Sequence, residues 1–413
     1  MDNTLPSPLD AGLSATASSR SFRRAEPVRH RLAITFSGSG SEYFRIWIVN
    51  LLLTLVTLGL YYPWAKVRRL RYFYGNTSVA GHAFDFHGQP RRMLRGFLLV
   101  GAMALLYGLA GEVSPISGLI AGAIVASLLP ALFRASQQFR MANTSWRGLR
   151  FRFNGDLPGA YRATLPLFLM GALFFLVPQI DFASEKVRVV AHSGTIAAAL
   201  VGAAVIMPLF VPLLVWMLKK YQHGHYVLGP LQTEWRASVG SVYAIAAKTV
   251  GLVVLATVLI VLAVLLVAFG GGLLTLMAGG AKASAGGIEG LVGAVVAGVM
   301  AFYTFMFVVV QPYVVSRMQN LVWGRTGSSQ VRFQSDLRFR PLALLTLKNL
   351  LLIFLTLGLY WPFAKVAMAR LRLEAVTVVT RLAPDELMST WRERADDAAG
   401  AAAGDLFGID AGL

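Results

Sequence analysis

The chain has 413 residues, 56% of them hydrophobic and only 14% charged, which is too apolar for an ordinary soluble domain and reads as a membrane protein. It has no cysteine, so disulfides, thiolate nucleophiles and thiolate metal sites are excluded. The net charge of +18 would suit nucleic acid, but the basic residues are spread as a membrane topology signal rather than as a binding footprint.

Residues 1–32 are rich in Ser, Ala, Pro and Arg without an apolar core, so they read as a disordered tail and not as a cleavable signal peptide. From Leu32 a short strand-like piece closes on Gly38 and Gly40. The stretch Asn50 to Val67 then has a near twin at Asn349 to Val366, with 13 identities in 18 positions. Each twin leaves too few residues for two crossings, which favours a re-entrant hairpin over a single full span.

After the first twin comes Pro63 to Gly88, in which Lys66, Arg68, Arg69 and Arg71 alternate with Trp64, Tyr72, Phe73 and Tyr74. That mixture suits a helix at headgroup level. Gly75-Asn76 and Gly81 mark turns, and Ala83 to Phe86 alternates like a half-buried strand. The unit returns at Pro130 to Gly155, where Asn143-Thr-Ser-x-x-Gly148-x-x-Phe151-x-Phe153-x-Gly155 repeats Asn76-Thr-Ser-x-x-Gly81-x-x-Phe84-x-Phe86-x-Gly88. A degenerate copy starts at Pro212 and a partial one at Pro312. The pattern Phe36-x-Gly38 matches the end of the unit, so the chain begins mid-unit.

Six apolar runs predict full crossings: Leu94 to Val113, Ser117 to Phe133, Tyr161 to Ile180, Ile196 to Leu218, Val242 to Phe269 and Leu291 to Val315. Of the 38 Lys and Arg, only Lys186, Arg188 and Lys282 fall in the connections after Val113, Ile180 and Phe269. That asymmetry predicts a cytoplasmic repeated unit with both termini inside. The fold expected is therefore an all-α membrane protein, a polytopic helical bundle of tandem repeats with small cytoplasmic β-hairpins. Its repeat-built transmembrane domain covers 33–381, and an acidic, Ala/Gly-rich disordered tail covers 382–413.

The pattern Asn-Leu-Leu-Leu-x-x-x-Thr-Leu-Gly-Leu-Tyr-x-Pro-Trp-Ala-Lys-Val, followed by Arg-Tyr-Phe-Tyr-x-Asn-Thr and Gly-x-x-Phe-x-Phe-x-Gly, resembles the bacterial inner-membrane YjgN family. The resemblance covers nearly all of the chain between its tails. It implies a multi-pass inner-membrane location, and it supplies no substrate, cofactor or catalytic residue.

Polar residues within apolar segments mark Asn50, Thr54, Thr57, Asn349 and Thr356 as a candidate permeation path, although Asn and Thr also serve helix packing. Lys66, Arg68, Arg69, Arg71, Arg140, Lys219, Lys220 and Lys365 are candidate contacts to anionic lipid headgroups, although topology anchoring would select the same residues. His223-Gly224-His225 has no local third ligand, so no metal is expected. No hydrolase, zinc-protease or phosphate-loop motif is present, and no enzyme activity or cofactor is expected. The leading reading is a transporter or channel for a small solute or ion. Its competitor is a non-catalytic scaffold that binds lipid or partner proteins, and self-association as a homo-oligomer is compatible with either. Single cysteines at Ser18 and Ala402 are expected to resist an impermeant thiol reagent in intact cells and to react after permeabilisation. Labelling from outside would invert the topology.

Overall fold

The computed structural model describes residues 29–175, 193–278 and 281–383, together with Asp385, Glu386, Ser389 and Trp391. Most of both tails and the connection after the third predicted span lie outside the described residues.

Helices cover the six apolar runs, the third as far as Phe175, and helical hairpins cover both twins. In chain order they are α1 (Gly40–Val56), α2 (Tyr62–Gly75), α3 (Pro90–Val113), α4 (Pro115–Ala142), α5 (Leu157–Phe175), α6 (Ser193–His223), α7 (Val239–Ala278), α8 (Ala281–Phe305), α9 (Gln311–Gly324), α10 (Phe339–Leu355) and α11 (Trp361–Glu374). One π-helical turn, Met306–Val310, joins α8 to α9 just ahead of Pro312. Among the described residues, Pro90–Val113, Ile116–Ala142, Val239–Gly271 and Glu289–Gly324 are long and apolar enough to cross a membrane.

The all-α expectation is overturned. The strands β1 (His30–Phe36), β2 (Thr77–Val79), β3 (His82–Phe86), β4 (Thr144–Trp146), β5 (Leu149–Phe153), β6 (Tyr226–Leu228), β7 (Leu231–Gln232), β8 (Glu234–Trp235), β9 (Thr326–Gly327), β10 (Val331–Ser335) and β11 (Val376–Thr380) form one 11-stranded sheet. Its order is β7-β6-β5-β4-β3-β2-β1-β11-β10-β9-β8, and every pair is antiparallel. The two ends of that order, β7 and β8, are halves of one extended stretch broken only at Thr233, so the sheet closes nearly into a barrel.

The closure follows from a repeated handover. In β3, His82 and Ala83 pair with β2 while Phe84 to Phe86 pair with β4. In β5, Leu149 and Arg150 pair with β4 while Phe151 to Phe153 pair with β6. In β1, His30 to Ala33 pair with β11 while Ile34 to Phe36 pair with β2. The half unit at the start of the chain and the half unit at its end therefore complete each other, giving a fifth unit. Both ends of the described chain leave the sheet side by side, since His30 pairs with Thr380.

Two sets of bonds recur in all five units. The N–H groups of Ser37, His87, Asn154, Arg236 and Asp336 donate to the carbonyls of Asn76, Asn143, His225, Arg325 and Ala375 at 2.8–3.0 Å. Each acceptor lies thirteen residues past a buried proline: Pro63, Pro130, Pro212, Pro312 and Pro362. The carbonyls of Gly38, Gly88, Gly155, Ala237 and Leu337 accept from Arg370, Arg71, Arg134, Trp216 and Asn320 on the incoming helices. The repeated Asn-Thr is a helix stop: Asn76 and Thr77 donate to Tyr72 O and Phe73 O, and Asn143 and Thr144 to Phe139 O and Arg140 O.

The Phe-x-Gly motif is a close approach. A Cβ at Gly155 would sit 2.5 Å from both the Phe153 ring and the Tyr221 hydroxyl, and one at Gly38 would meet the Phe36 ring at 2.7 Å. Phe153 and Tyr221 are buried and cannot both retreat. Gly155→Ala is therefore expected to lower stability by about 1–3 kcal/mol. Gly101→Ala, in the interior of α3 with nothing within 4 Å, is expected to keep or raise it, by up to about 1 kcal/mol. Thermal unfolding of the detergent-purified protein measures both.

Candidate functional site on the ring axis

The helical hairpins follow the sheet around a ring: α1/α2, α3/α4, α5/α6, α7 with α8–α9, then α10/α11, which returns to α1. Long helices form most of the wall. The two short twins, α1/α2 and α10/α11, are neighbours, because β1 and β11 pair.

Each twin turns at the same residues. Leu58 and Gly59 take φ of 49° and 91°, and Leu357 and Gly358 take 48° and 93°. Glycine tolerates this left-handed conformation, whereas leucine is strained in it. The hairpins return to the sheet they left instead of running on as single spans. Their tips are apolar and outward, with Leu58 94% and Leu357 93% exposed. Thr57 and Thr356 hold the turns: each hydroxyl donates to the carbonyl four residues back, Leu53 or Leu352, and accepts the N–H of Tyr61 or Tyr360 at 3.0 Å. Thr54 donates to Asn50 O at 2.6 Å. The three threonines of the candidate path are thus engaged with backbone.

The asparagines differ. Asn50 and Asn349 are 8% and 5% exposed, and the Oδ1 of each has no hydrogen-bond partner. An unpaired buried acceptor costs about 1–3 kcal/mol, and here the same cost stands at the same place in both twins.

The basic residues sort by direction. Arg68, Arg71 and Lys220 are exposed, with Lys220 4.8 Å above the Trp216 ring and Arg71 on the Gly88 carbonyl. Lys66, Arg69, Arg140, Lys219 and Lys365 are half-buried. Arg140 donates to Gln137 Oε1 at 2.7 Å and Lys219 to Gln222 Oε1 at 3.2 Å. Arg372 donates to Gln319 Oε1 at 2.9 Å, while the Gln319 amide donates to Arg372 O at 2.8 Å.

The charges of Arg140 and Arg372 both act on Lys219. These residues belong to α4, α11 and α6. Tyr226 likewise feels both Arg140 and Tyr74, from two other units. Burial lowers the pKa of Arg372, and burial with the charge of Arg69 lowers that of Lys365. Arg372 is nonetheless exposed, like Arg68, Arg71 and Lys220. None of the ion pairs among the described residues includes Arg140, Lys219 or Arg372.

The sheet end is filled. Trp391, only 3% exposed, packs with Val79 and Trp146 and with apolar side chains of β1, β3, β5, β6, β7, β10 and β11. Its indole N–H donates to Gln330 Oε1 at 3.1 Å, and Arg147 pairs with Asp385 at 2.6 Å just before it.

His223 and His225 engage separate partners. His223 is buried against Thr326, Tyr226 and Trp323, whereas His225 Nδ1 meets Tyr221 O at 2.8 Å. Among the described residues no group of three His, Asp or Glu could hold a metal ion. Gln137, Gln319, Arg372 and Trp391 did not stand out in the sequence. A signal was available: Gln137, Lys219 and Gln319 each lie seven residues past their unit's proline.

A ring of helical hairpins springing from one closed sheet, with spans long enough for a bilayer, defines a multi-pass membrane protein. The family model described as "Bacterial protein of unknown function (DUF898)" matches residues 31–406, and the chain belongs to that family. It is 32% identical over 166 residues to "Inner membrane protein YjgN" of Escherichia coli O157:H7, and 30% identical over 165 residues to the protein of that name from strain K12. Each match covers 38% of this chain and 41% of the relative, so the aligned stretch spans about two fifths of the relatives' length. No solved structure matches the chain.

Replacing Asn50 or Asn349 by Leu removes an unpaired acceptor and keeps the branching of the side chain, at the cost of two bulkier methyl groups that the apolar surroundings must accommodate. Each variant is expected to keep or gain stability, by up to about 1 kcal/mol, measured as an unfolding midpoint at or above that of the parent. A fall of several degrees would mean the amide is bonded after all.

Proposed function

We propose that the protein is a non-enzymatic transporter or channel for a small solute or ion in the bacterial inner membrane, its sheet and both termini on the cytoplasmic side. The observation that carries this reading is the matched pair of buried, unpaired oxygens on Asn50 and Asn349 in the two short hairpins, where helix packing alone would hold apolar side chains. The path runs past these two asparagines, along the low wall of the ring. Trp391 closes the sheet end. The relatives' name supports the location, and the charge asymmetry supports the orientation.

A scaffold reading draws on Arg68 and Lys220, which face outward where anionic headgroups would lie. The two readings part in reconstituted vesicles assayed for electrogenic flux across a panel of salts. For a conduit, Trp391→Ala is expected to raise flux above the parent, and Asn50→Leu with Asn349→Leu to abolish it. Reversing Arg68 and Lys220 should leave it unchanged. Loss of vesicle binding on that reversal, with no flux in any variant, would establish the scaffold instead.

A further inference from the structure

We infer that the sheet end closed by Trp391 is a docking site for an acidic peptide anchored by one indole, and that residues 382–391 of this chain are its exchangeable occupant, seated in cis. As a plug for the path the segment rests on the conduit reading, and as a docked ligand it stands by itself.

The receptor is complete without its occupant. The strand pairings run no further than Thr380, so the sheet closes on its own hydrogen bonds. At this end Leu32, Phe84, Phe151 and Val378 are among the apolar side chains packed around the indole, beside buried Val79 and Trp146. With the indole withdrawn, they would form an apolar opening to water. Tryptophan suits the space, because its rigid ring covers a large apolar area while its N–H needs a single acceptor.

Turns from three different units meet the occupant. Gln330, between β9 and β10, accepts the indole N–H at 3.1 Å. Gly229, between β6 and β7, comes so close that a Cβ there would stand 3.3 Å from Trp391 Cβ. Arg147, between β4 and β5, pairs with Asp385 at 2.6 Å and lies 5.8 Å over the Trp146 ring. Charge favours the same match: residues 382–413 hold seven acidic and two basic residues in a chain of net charge +18.

The hold is one-sided. The occupant follows β11 directly, with Thr380 donating to Leu382 O at 2.8 Å. Asp385 is 86% exposed, so its pair with Arg147 contributes little and the indole carries most of the affinity. A single anchor on so short a tether acts at an effective concentration of about 1 mM, which a free peptide of the same sequence can match.

The chain has no cysteine, so Ser389→Cys on the exposed side of the segment takes one dye in the full-length protein. Fluorescence anisotropy then reports the seat, with a synthetic peptide of residues 382–395 as competitor. Half-release is expected near about 1 mM peptide, and Trp391→Ala in the same labelled protein should give the released value from the start. Labelled peptide is expected to bind full-length Trp391→Ala protein at least about tenfold more tightly than the parent, whose site is filled. In the peptide, Trp391→Ala should abolish binding, and Asp385→Ala should weaken it by no more than about fivefold. Anisotropy unmoved at about 10 mM peptide, or equal competition by the Trp391→Ala peptide, overturns the exchangeable site. A dimer in sedimentation that Trp391→Ala dissolves overturns the seat in cis. Peptide that raises flux through vesicles of the parent supports the plug. Exchange without flux in any variant leaves the site and removes the conduit, and flux that ignores an exchanging peptide leaves the conduit and removes the plug.

Discussion

Five peptide N–H groups, on Ser37, His87, Asn154, Arg236 and Asp336, bind each unit to the helix–strand junction of the next. A β-hairpin alone is marginal in water, and an open row of them would end in two unpaired edges. Passing each long strand from one partner to the next removes the edges, and the pairing of β1 with β11 makes the sequence-distant ends of the chain the last link. The helices have no freedom to arrange themselves otherwise. Their directions are fixed where they leave the sheet, by the arginine, tryptophan and asparagine bonds to the carbonyls that end the long strands.

From this constraint comes an axis. Residues at equal distance from the five prolines are carried to equal height on the ring, so a substitution pattern that looks scattered along the chain becomes a layer. Gln137, Lys219 and Gln319 form such a layer, with Arg140 and Arg372 one turn nearer the sheet. The apolar filling of the sheet around Trp391 closes the space on one side.

The helices were legible because their apolar runs are long and turn chemistry marks their ends. The Asn-Thr stops and the Gly81 and Gly148 turns also follow from local rules, with Ala80 and Arg147 taking positive φ beside them. The closed sheet was not legible. Its strands are two to seven residues long, half of its pairs join different units, and Trp235 stands where the strong copies have phenylalanine. Nor does a sequence mark which side of an amphipathic basic helix will face its neighbours. Arg140 and Lys219 read as lipid contacts because nothing local distinguishes them from Lys220, which does face outward. The direction is set by the ring, which is a property of all five units together.

Each short hairpin joins a buried asparagine to a basic helix. α11 carries Arg372 and follows α10, which holds Asn349, while α2 carries Arg69 and follows α1, which holds Asn50. Both features are costly. A partly desolvated cation without a carboxylate loses hydration that glutamine dipoles only partly replace, and an unpaired buried oxygen is a loss in its own right. Apolar residues of similar volume would relieve each cost without disturbing the ring, whose bonds lie elsewhere. Costs that the fold does not require, placed twice at matched positions of the two short hairpins, are what the proposed conduit would account for.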